Sequence, residues 1–250
     1  MVKISLHTVQ VGRYTVRYQI AGEGEPIVLV HGLSGSTLWW RRNVPGLAQH
    51  YKVYLVDLPG FGARSRKRGH FVLQQAGDWL LAWMDAIGLK QTHLIGHSMG
   101  GYICMWIAAH RSDIVLRLVL VDPAFKAHAR SVLGYTGPLL GAARYLTPRF
   151  FPILAYDSLR ADPITLLRAT RDLISLDMSE EVKMITEPVL LIWGENDTLV
   201  PPSLGPMLRE ALPNARLLTL KHAAHVAMFD QPRQFNAAVN TFLRGEMVGD

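Results

Sequence analysis

Ser98 sits in the run Gly96-His97-Ser98-Met99-Gly100-Gly101, directly after the apolar pair Leu94-Ile95 and at the start of a helical pattern. A serine on a tight strand-to-helix turn is held in a strained backbone conformation that pushes its hydroxyl out of the sheet. Small residues at 96 and 100 let strand and helix come close where a side chain would clash. The helix that follows points its positive end at the serine and favours negative charge developing there. A serine hydroxyl stays a weak nucleophile until a base takes its proton and a third group orients that base. The late part of the chain offers both. Asp197 lies in Gly194-Glu195-Asn196-Asp197, after the apolar run 189–193, and His225 follows Leu217-Leu218-Thr219-Leu220. The carboxyl ends of strands are where the sites of open α/β sheets gather. The chemistry these three residues suit is base-assisted attack of Ser98 on a carbonyl carbon. His222, Glu195 and Asp122 are alternatives for the base and the acid.

Such residues work only if a scaffold brings them together. Residues 4–11 and 14–20 alternate apolar and polar side chains around Gly12-Arg13, which predicts an antiparallel hairpin with one wet face. Thereafter the strand candidates change character. Ile27–Val30, Val53–Val56, Leu94-Ile95, Leu118–Val121 and Val189–Trp193 are short continuous apolar runs, as in parallel strands covered on both faces. Between them, Ala76, Trp79, Leu80, Trp83, Met84 and Ile87 recur at helical spacing before Gly88. Phe235, Ala238, Val239, Phe242 and Leu243 repeat that spacing before Gly245. Strands alternating with helices imply crossover connections and a mostly parallel sheet.

One segment breaks this rhythm. Residues 123–187 hold no strand run but several short helical pieces punctuated by glycine and proline. A structureless loop of that length is improbable in a compact domain, so the expectation is a helical cap, 123–187, inserted into a core of 1–122 and 188–250. In its first part Lys126, Arg130, Arg144, Arg149 and Arg160 face only one acid, Asp157, while its second part is acidic.

Composition sets outer limits. At 250 residues, 49% hydrophobic and 18% charged, the chain is long enough for one sizeable core. No apolar run approaches the ~20 residues of a bilayer span, and the first ten residues lack the apolar centre of a secretory signal. The single cysteine, Cys104, lies in an apolar helical stretch and reads as a packed thiol. A cytoplasmic setting is the expectation. The net charge of +6 includes the cluster Arg64, Arg66, Lys67 and Arg68, read as a solvated loop. No zinc-finger, basic-zipper or aromatic RNA motif accompanies it, so no nucleic-acid partner is expected. Neither metal-ligand spacing, nor a phosphate loop, nor a dinucleotide fingerprint occurs, so neither metal nor cofactor is expected.

In order along the chain, these features resemble the α/β-hydrolase superfamily, in its serine esterase and lipase-like members with a helical cap. The elbow around Ser98 is one signature. His31-Gly32 after the third strand and Asp57-Leu58-Pro59-Gly60-Phe61-Gly62 after the fourth are two more. Gly194–Pro201 resembles the family's acid-bearing loop. His225, followed after four residues by Asp230-Gln231-Pro232, resembles the loop of its catalytic histidine. The resemblance implies an α/β fold with a mostly parallel eight-stranded sheet and helices on both faces. It also implies a triad in the order Ser98, Asp197, His225. The acid-x-Pro match downstream favours His225 over His222. Asp122, at a position where some members carry the acid, is instead expected to anchor the turn into the cap. His31 and His97 are expected to support loops, and Asp57 to tie down its own turn. The backbone N–H groups of Leu33 and Met99 would form the oxyanion hole.

The reaction class the resemblance implies is carboxylic ester hydrolysis through an acyl-enzyme on Ser98, acting on a small ester or a monoacylglycerol. Carbon–carbon hydrolases, lactonases and perhydrolases share the triad, and some hormone receptors share the scaffold. Dehalogenases and epoxide hydrolases carry a carboxylate where this chain has Ser98. Hydroxynitrile lyases carry a lysine where it has Val226. Trp39, Leu133, Leu139, Phe150, Leu199 and Val226 are the candidate lining of an apolar acyl pocket.

Overall fold

The computed structural model describes residues 2–12, 14–62, 72–127 and 136–248. Eight strands form one sheet: β1 (Ile4–Val11), β2 (Tyr14–Ala21), β3 (Glu25–Val30), β4 (Tyr51–Val56), β5 (Thr92–His97), β6 (Val115–Val121), β7 (Val189–Gly194) and β8 (Ala215–Leu220). Their order across the sheet is β1-β2-β4-β3-β5-β6-β7-β8. The hairpin β1–β2 and the β2–β4 pair are antiparallel, and every other neighbour is parallel. The basic cluster 64–68 and Leu133 lie outside the described residues.

The continuous apolar runs have a direct cause. In β7, Val189, Leu191 and Trp193 enter one core cluster while Leu190 and Ile192 enter the other. In β3, Val28 and Val30 divide from Ile27 and Leu29 in the same way. Successive strand residues point to opposite faces, so a strand covered twice must be apolar throughout. Among the described residues the hairpin has no such cover on its outer face, where Ile4 and Leu6 are exposed.

Helices supply that cover. α1 (Val44–Leu47) lies on one face, and α2 (Ala76–Ala86) and α3 (Met99–His110) pack on the other. The stripe read from α2 is buried at Ala76, Leu80, Trp83 and Met84. Between β6 and β7 come α4 (Thr136–Tyr145), α5 (Phe151–Arg160) and α6 (Pro163–Ile174). Pro163 starts α6 with its missing N–H at no cost, and the Asp162 carboxylate caps the Thr165 amide at 2.8 Å. An isolated antiparallel bridge pairs Lys126, shortly after β6, with Asp177, shortly after α6. The last stretch of residues 123–187 packs on the core, where Met178, Val182 and Ile185 are buried. After β7 come α7 (Leu204–Ala211), on the α2–α3 face, then α8 (Ala227–Asp230) and α9 (Pro232–Leu243), on the α1 face. Among the described residues, no helix is long and apolar enough to cross a membrane.

Candidate active site

The strand-to-helix turn at Ser98 has φ 52° and ψ −116°, a conformation that costs a side-chain-bearing residue ~1–3 kcal/mol. Three backbone bonds hold it there. The Ser98 amide donates to Val121 at 3.0 Å, and its carbonyl accepts from Tyr102 and Ala124 at 3.2 and 3.1 Å. The crossing is tight: a Cβ on Gly100 would lie 2.3 Å from the Val30 carbonyl oxygen. Any side chain there would force β3 and α3 apart.

His225 bridges the other two residues. Its Nδ1 lies 2.8 Å from Asp197 Oδ2, and its Nε2 lies 3.1 Å from Ser98 Oγ. A carboxylate can only accept, so Nδ1 carries the proton and Nε2 presents its lone pair to the hydroxyl. Asp197 is held on its other side, where Oδ1 accepts from the Leu199 and Val200 amides at 2.8 and 3.0 Å. Ser98 and Asp197 are buried, and Ser98 retains 8% exposure.

The loop carrying His225 is tied at several points. His97 Nε2–H donates to the His225 carbonyl at 2.6 Å, and Asp230 Oδ2 accepts from the Ala224 amide at 2.9 Å. Asn43 donates to the Met228 carbonyl at 2.8 Å. Asp230 also accepts the Thr147 hydroxyl, which joins this loop to the segment between α4 and α5. Burial pushes the Asp230 carboxyl up from its usual range. His97 is fully enclosed, and desolvation pushes its pKa well down, so it is neutral. His31 is likewise lowered by burial. Its Nε2 accepts the Leu58 amide at 3.0 Å, so its Nδ1–H donates to the Gly32 carbonyl at 2.8 Å. Both histidines therefore brace loops. Asp57 accepts the Thr37 amide at 2.8 Å and packs against Gly62.

The loop after β3 passes over the serine. A Cβ on Gly32 would lie 3.2 Å from Ser98 Cβ, so the Leu33 amide that follows is close to the nucleophile. The Met99 amide is the first of α3 and has no intrahelical acceptor.

The alternatives take other places. His222 is exposed at φ 57°, and the Glu195 carboxylate accepts its amide at 3.1 Å. Asp122 does not anchor the turn into the cap. Its Oδ1 accepts the Gly194 amide at 2.8 Å and so pins β6 to the end of β7, beside Asp197. Of the candidate pocket residues, Trp39 is buried with its ring 5.4 Å from that of His97 and 5.1 Å from that of Phe150. Phe150 packs on Phe229 at 4.8 Å, Val226 is buried beside His225, and Leu199 is half-buried. Leu139 does not line a closed pocket: it is 56% exposed. α4 docks instead through Pro138, whose carbonyl accepts Thr198 Oγ1–H at 2.7 Å, and through Gly141, where a Cβ would lie 2.9 Å from the Thr198 side chain. That contact turns Leu139 away.

Asp157 is a residue the motif reading passes over. Its Oδ2 accepts Ser36 Oγ–H at 2.8 Å and Trp39 Nε1–H at 2.9 Å, and its carboxyl is pushed up to about 6 by burial. The signal available was its isolation, a lone acid in a basic segment.

A parallel sheet with its strained serine elbow, and a histidine spanning serine and aspartate, define a hydrolase scaffold. The chain belongs to the alpha/beta hydrolase family, whose model matches residues 27–238. It is 32% identical over 248 residues to a pimeloyl-[acyl-carrier protein] methyl ester esterase of Aeromonas hydrophila, covering 89% of this chain and 96% of that one. It is 30% identical to a Caulobacter sp. (strain K31) protein provisionally assigned as a carbamate hydrolase, covering 90% of this chain and 93% of the other. In structure it is similar to a bacterial membrane phospholipase A, with TM-score 0.83 and 25% identity over 97% of this chain and 86% of that one.

Proposed function

We propose that the protein hydrolyses carboxylic esters through an acyl-enzyme on Ser98, with His225 as the base and Asp197 as the residue that orients it. The observation that carries this reading is the His225 ring, whose two nitrogens meet Ser98 Oγ and Asp197 Oδ2 at 3.1 and 2.8 Å. His225 Nε2 takes the hydroxyl proton as Oγ attacks the carbonyl carbon. Asp197 stabilises the imidazolium that results. The Leu33 and Met99 amides then hold the tetrahedral oxyanion, and each such donor is worth ~3 kcal/mol of barrier. The alcohol leaves with the proton from Nε2. Water, activated by the same nitrogen, clears the acyl group and restores Ser98.

Residues 123–187 act as the cap over this site. Thr147 on Asp230, Pro138 on Thr198 and Asp157 on Trp39 tie it to three loops that bear on the reaction. Trp39, Phe150 and Val226, all buried near the triad, form the apolar side of the acyl pocket. The substrate class is a small-to-medium carboxylic ester, in keeping with the methyl ester esterase among its relatives.

Turnover of a p-nitrophenyl ester series tests this. The wild-type protein should cycle many times, and Ser98→Ala should lose at least about a thousandfold in kcat. A single slow turnover by the wild type would instead mark a receptor on a hydrolase scaffold. Unchanged turnover by Ser98→Ala would remove Ser98 from the mechanism.

A further inference from the structure

Asp122 is a buried ionisable group that the hydrolytic reading leaves without a task. It follows Val121 at the end of β6, has φ 43° and is 0% exposed. Its amide donates to the Ile192 carbonyl at 2.9 Å, and its Oδ1 accepts the Gly194 amide at 2.8 Å. Among the described residues Oδ2 has no hydrogen-bond donor, although the carboxyl group of Asp197 lies within hydrogen-bonding reach. A buried carboxylate oxygen without a donor is costly, and two carboxylates in contact inside a protein do not both ionise. One proton placed between them removes both costs.

The surrounding donors decide which residue carries it. Asp197 accepts three firm bonds, from the Leu199 and Val200 amides and from His225 Nδ1–H. Asp122 accepts one, from Gly194, with the Ala227 amide placed more loosely. The better-solvated carboxylate keeps the charge, and the other keeps the proton. We propose that Asp122 is a positioning residue which, as a neutral carboxylic acid, donates Oδ2–H to Asp197 and so fixes the carboxylate that orients His225. The direction of its own acidity agrees, since burial and then Asp197 push the Asp122 carboxyl well above its ordinary range. The other titratable groups at this end of the elements packed around it are His97 at the end of β5, Glu195 just after β7, His225 just before α8 and Asp230, the last residue of α8. His97 is neutral, so it supplies no positive charge that would ionise Asp122.

A hydrogen bond donated to Asp197 draws charge away from His225. Removing it should strengthen the hold of Asp197 on the imidazolium while loosening the ring's orientation. Asparagine can replace the acid on both sides: its side-chain oxygen accepts from Gly194 and its NH2 donates to Asp197. It also tolerates a positive φ.

This inference rests on the proposed triad. It is tested by kcat/KM against pH for the wild type, Asp122→Asn, Asp122→Ala and Asp197→Asn, each checked for folding by its thermal melt. Asp122→Asn should stay within about threefold of the wild type with the same acid limb. Asp122→Ala should lose about tenfold or more, with the acid limb shifted upward by about half a pH unit. Equal losses in both variants with unmoved limbs, or no loss in Asp122→Ala, would overturn it. A second measurement stands even if Asp122→Ala does not fold. Infrared spectra at pH 8 should show the C=O stretch of an un-ionised carboxylic acid in the wild type and not in Asp122→Asn, and its absence from the wild type overturns the proposal. If Asp197→Asn keeps full activity, the triad reading fails instead. Loss of activity there with an indifferent Asp122 defeats only this inference.

Discussion

Asp157 on α5 accepts a 2.9 Å hydrogen bond from the indole of Trp39, 118 residues earlier in the chain, on the loop that follows β3. The same carboxylate oxygen takes the Ser36 hydroxyl, while its Oδ1 is buried and has no donor among the described residues. The helix is thereby fastened to the loop that carries the Leu33 amide. Burial raises this acid to about 6, and the Ser36 and Trp39 hydrogen bonds only partly offset that rise.

The first prediction concerns this fastening and pH. The folded pKa lies above the ordinary carboxylate value, so between about pH 4 and 6 the folded state binds more protons than the unfolded one. Stability contributed by Asp157 therefore falls as pH rises through that window. Asp157→Asn, which accepts both donors without titrating, should melt higher than the wild type at pH 8, with the gain shrinking toward pH 4. A gain that is the same at both pH values would contradict the assignment. Asp157→Ala strands Ser36 and Trp39 and should destabilise by about 1–3 kcal/mol.

A backbone amide cannot be deleted by changing its side chain, except with proline. Leu33→Pro removes the N–H assigned to the oxyanion, and Gly32 before it tolerates the restriction that proline imposes. The variant should fold, bind ester with little change in KM, and lose about a hundredfold in kcat. Leu33→Ala keeps the amide and should stay near wild-type kcat. A parallel loss in both variants would point to packing and not to charge stabilisation.

Asp230 ties the loop of His225 to the segment between α4 and α5. Its carboxylate accepts both the Ala224 amide and the Thr147 hydroxyl. Thr147→Val should leave the Ala224 contact in place and reduce kcat/KM by a few-fold. Asp230→Ala frees both donors and should cost more, about tenfold, through a looser His225. The ordering of the two losses, read from steady-state kinetics on one short ester, is the check.

Much of this arrangement was legible because it is local. The parallel core showed itself in runs such as Val189–Trp193, where both faces are covered, and the elbow in the small residues at 96 and 100. His225 was separated from His222 by the Asp230-Gln231-Pro232 that follows it, and the structure shows Asp230 bracing that loop. What was not legible depends on pairs far apart in sequence. Asp157 with Trp39, Thr147 with Asp230, and Asp122 with Asp197 leave no periodicity or spacing to read. Leu139 misled for a related reason. An apolar residue on a short helix declares that it can be buried, but which side of α4 docks is decided by Pro138 and Gly141 against Thr198.

The central claim is that Ser98 is the nucleophile, and covalent labelling tests it most directly. The protein is treated with a fluorophosphonate until ester turnover stops, then digested and mapped by mass spectrometry. One adduct per chain should be found, on the peptide carrying Ser98, and Ser98→Ala and His225→Ala should take up essentially none. An adduct on another residue, or loss of turnover with Ser98 unmodified, would contradict the account.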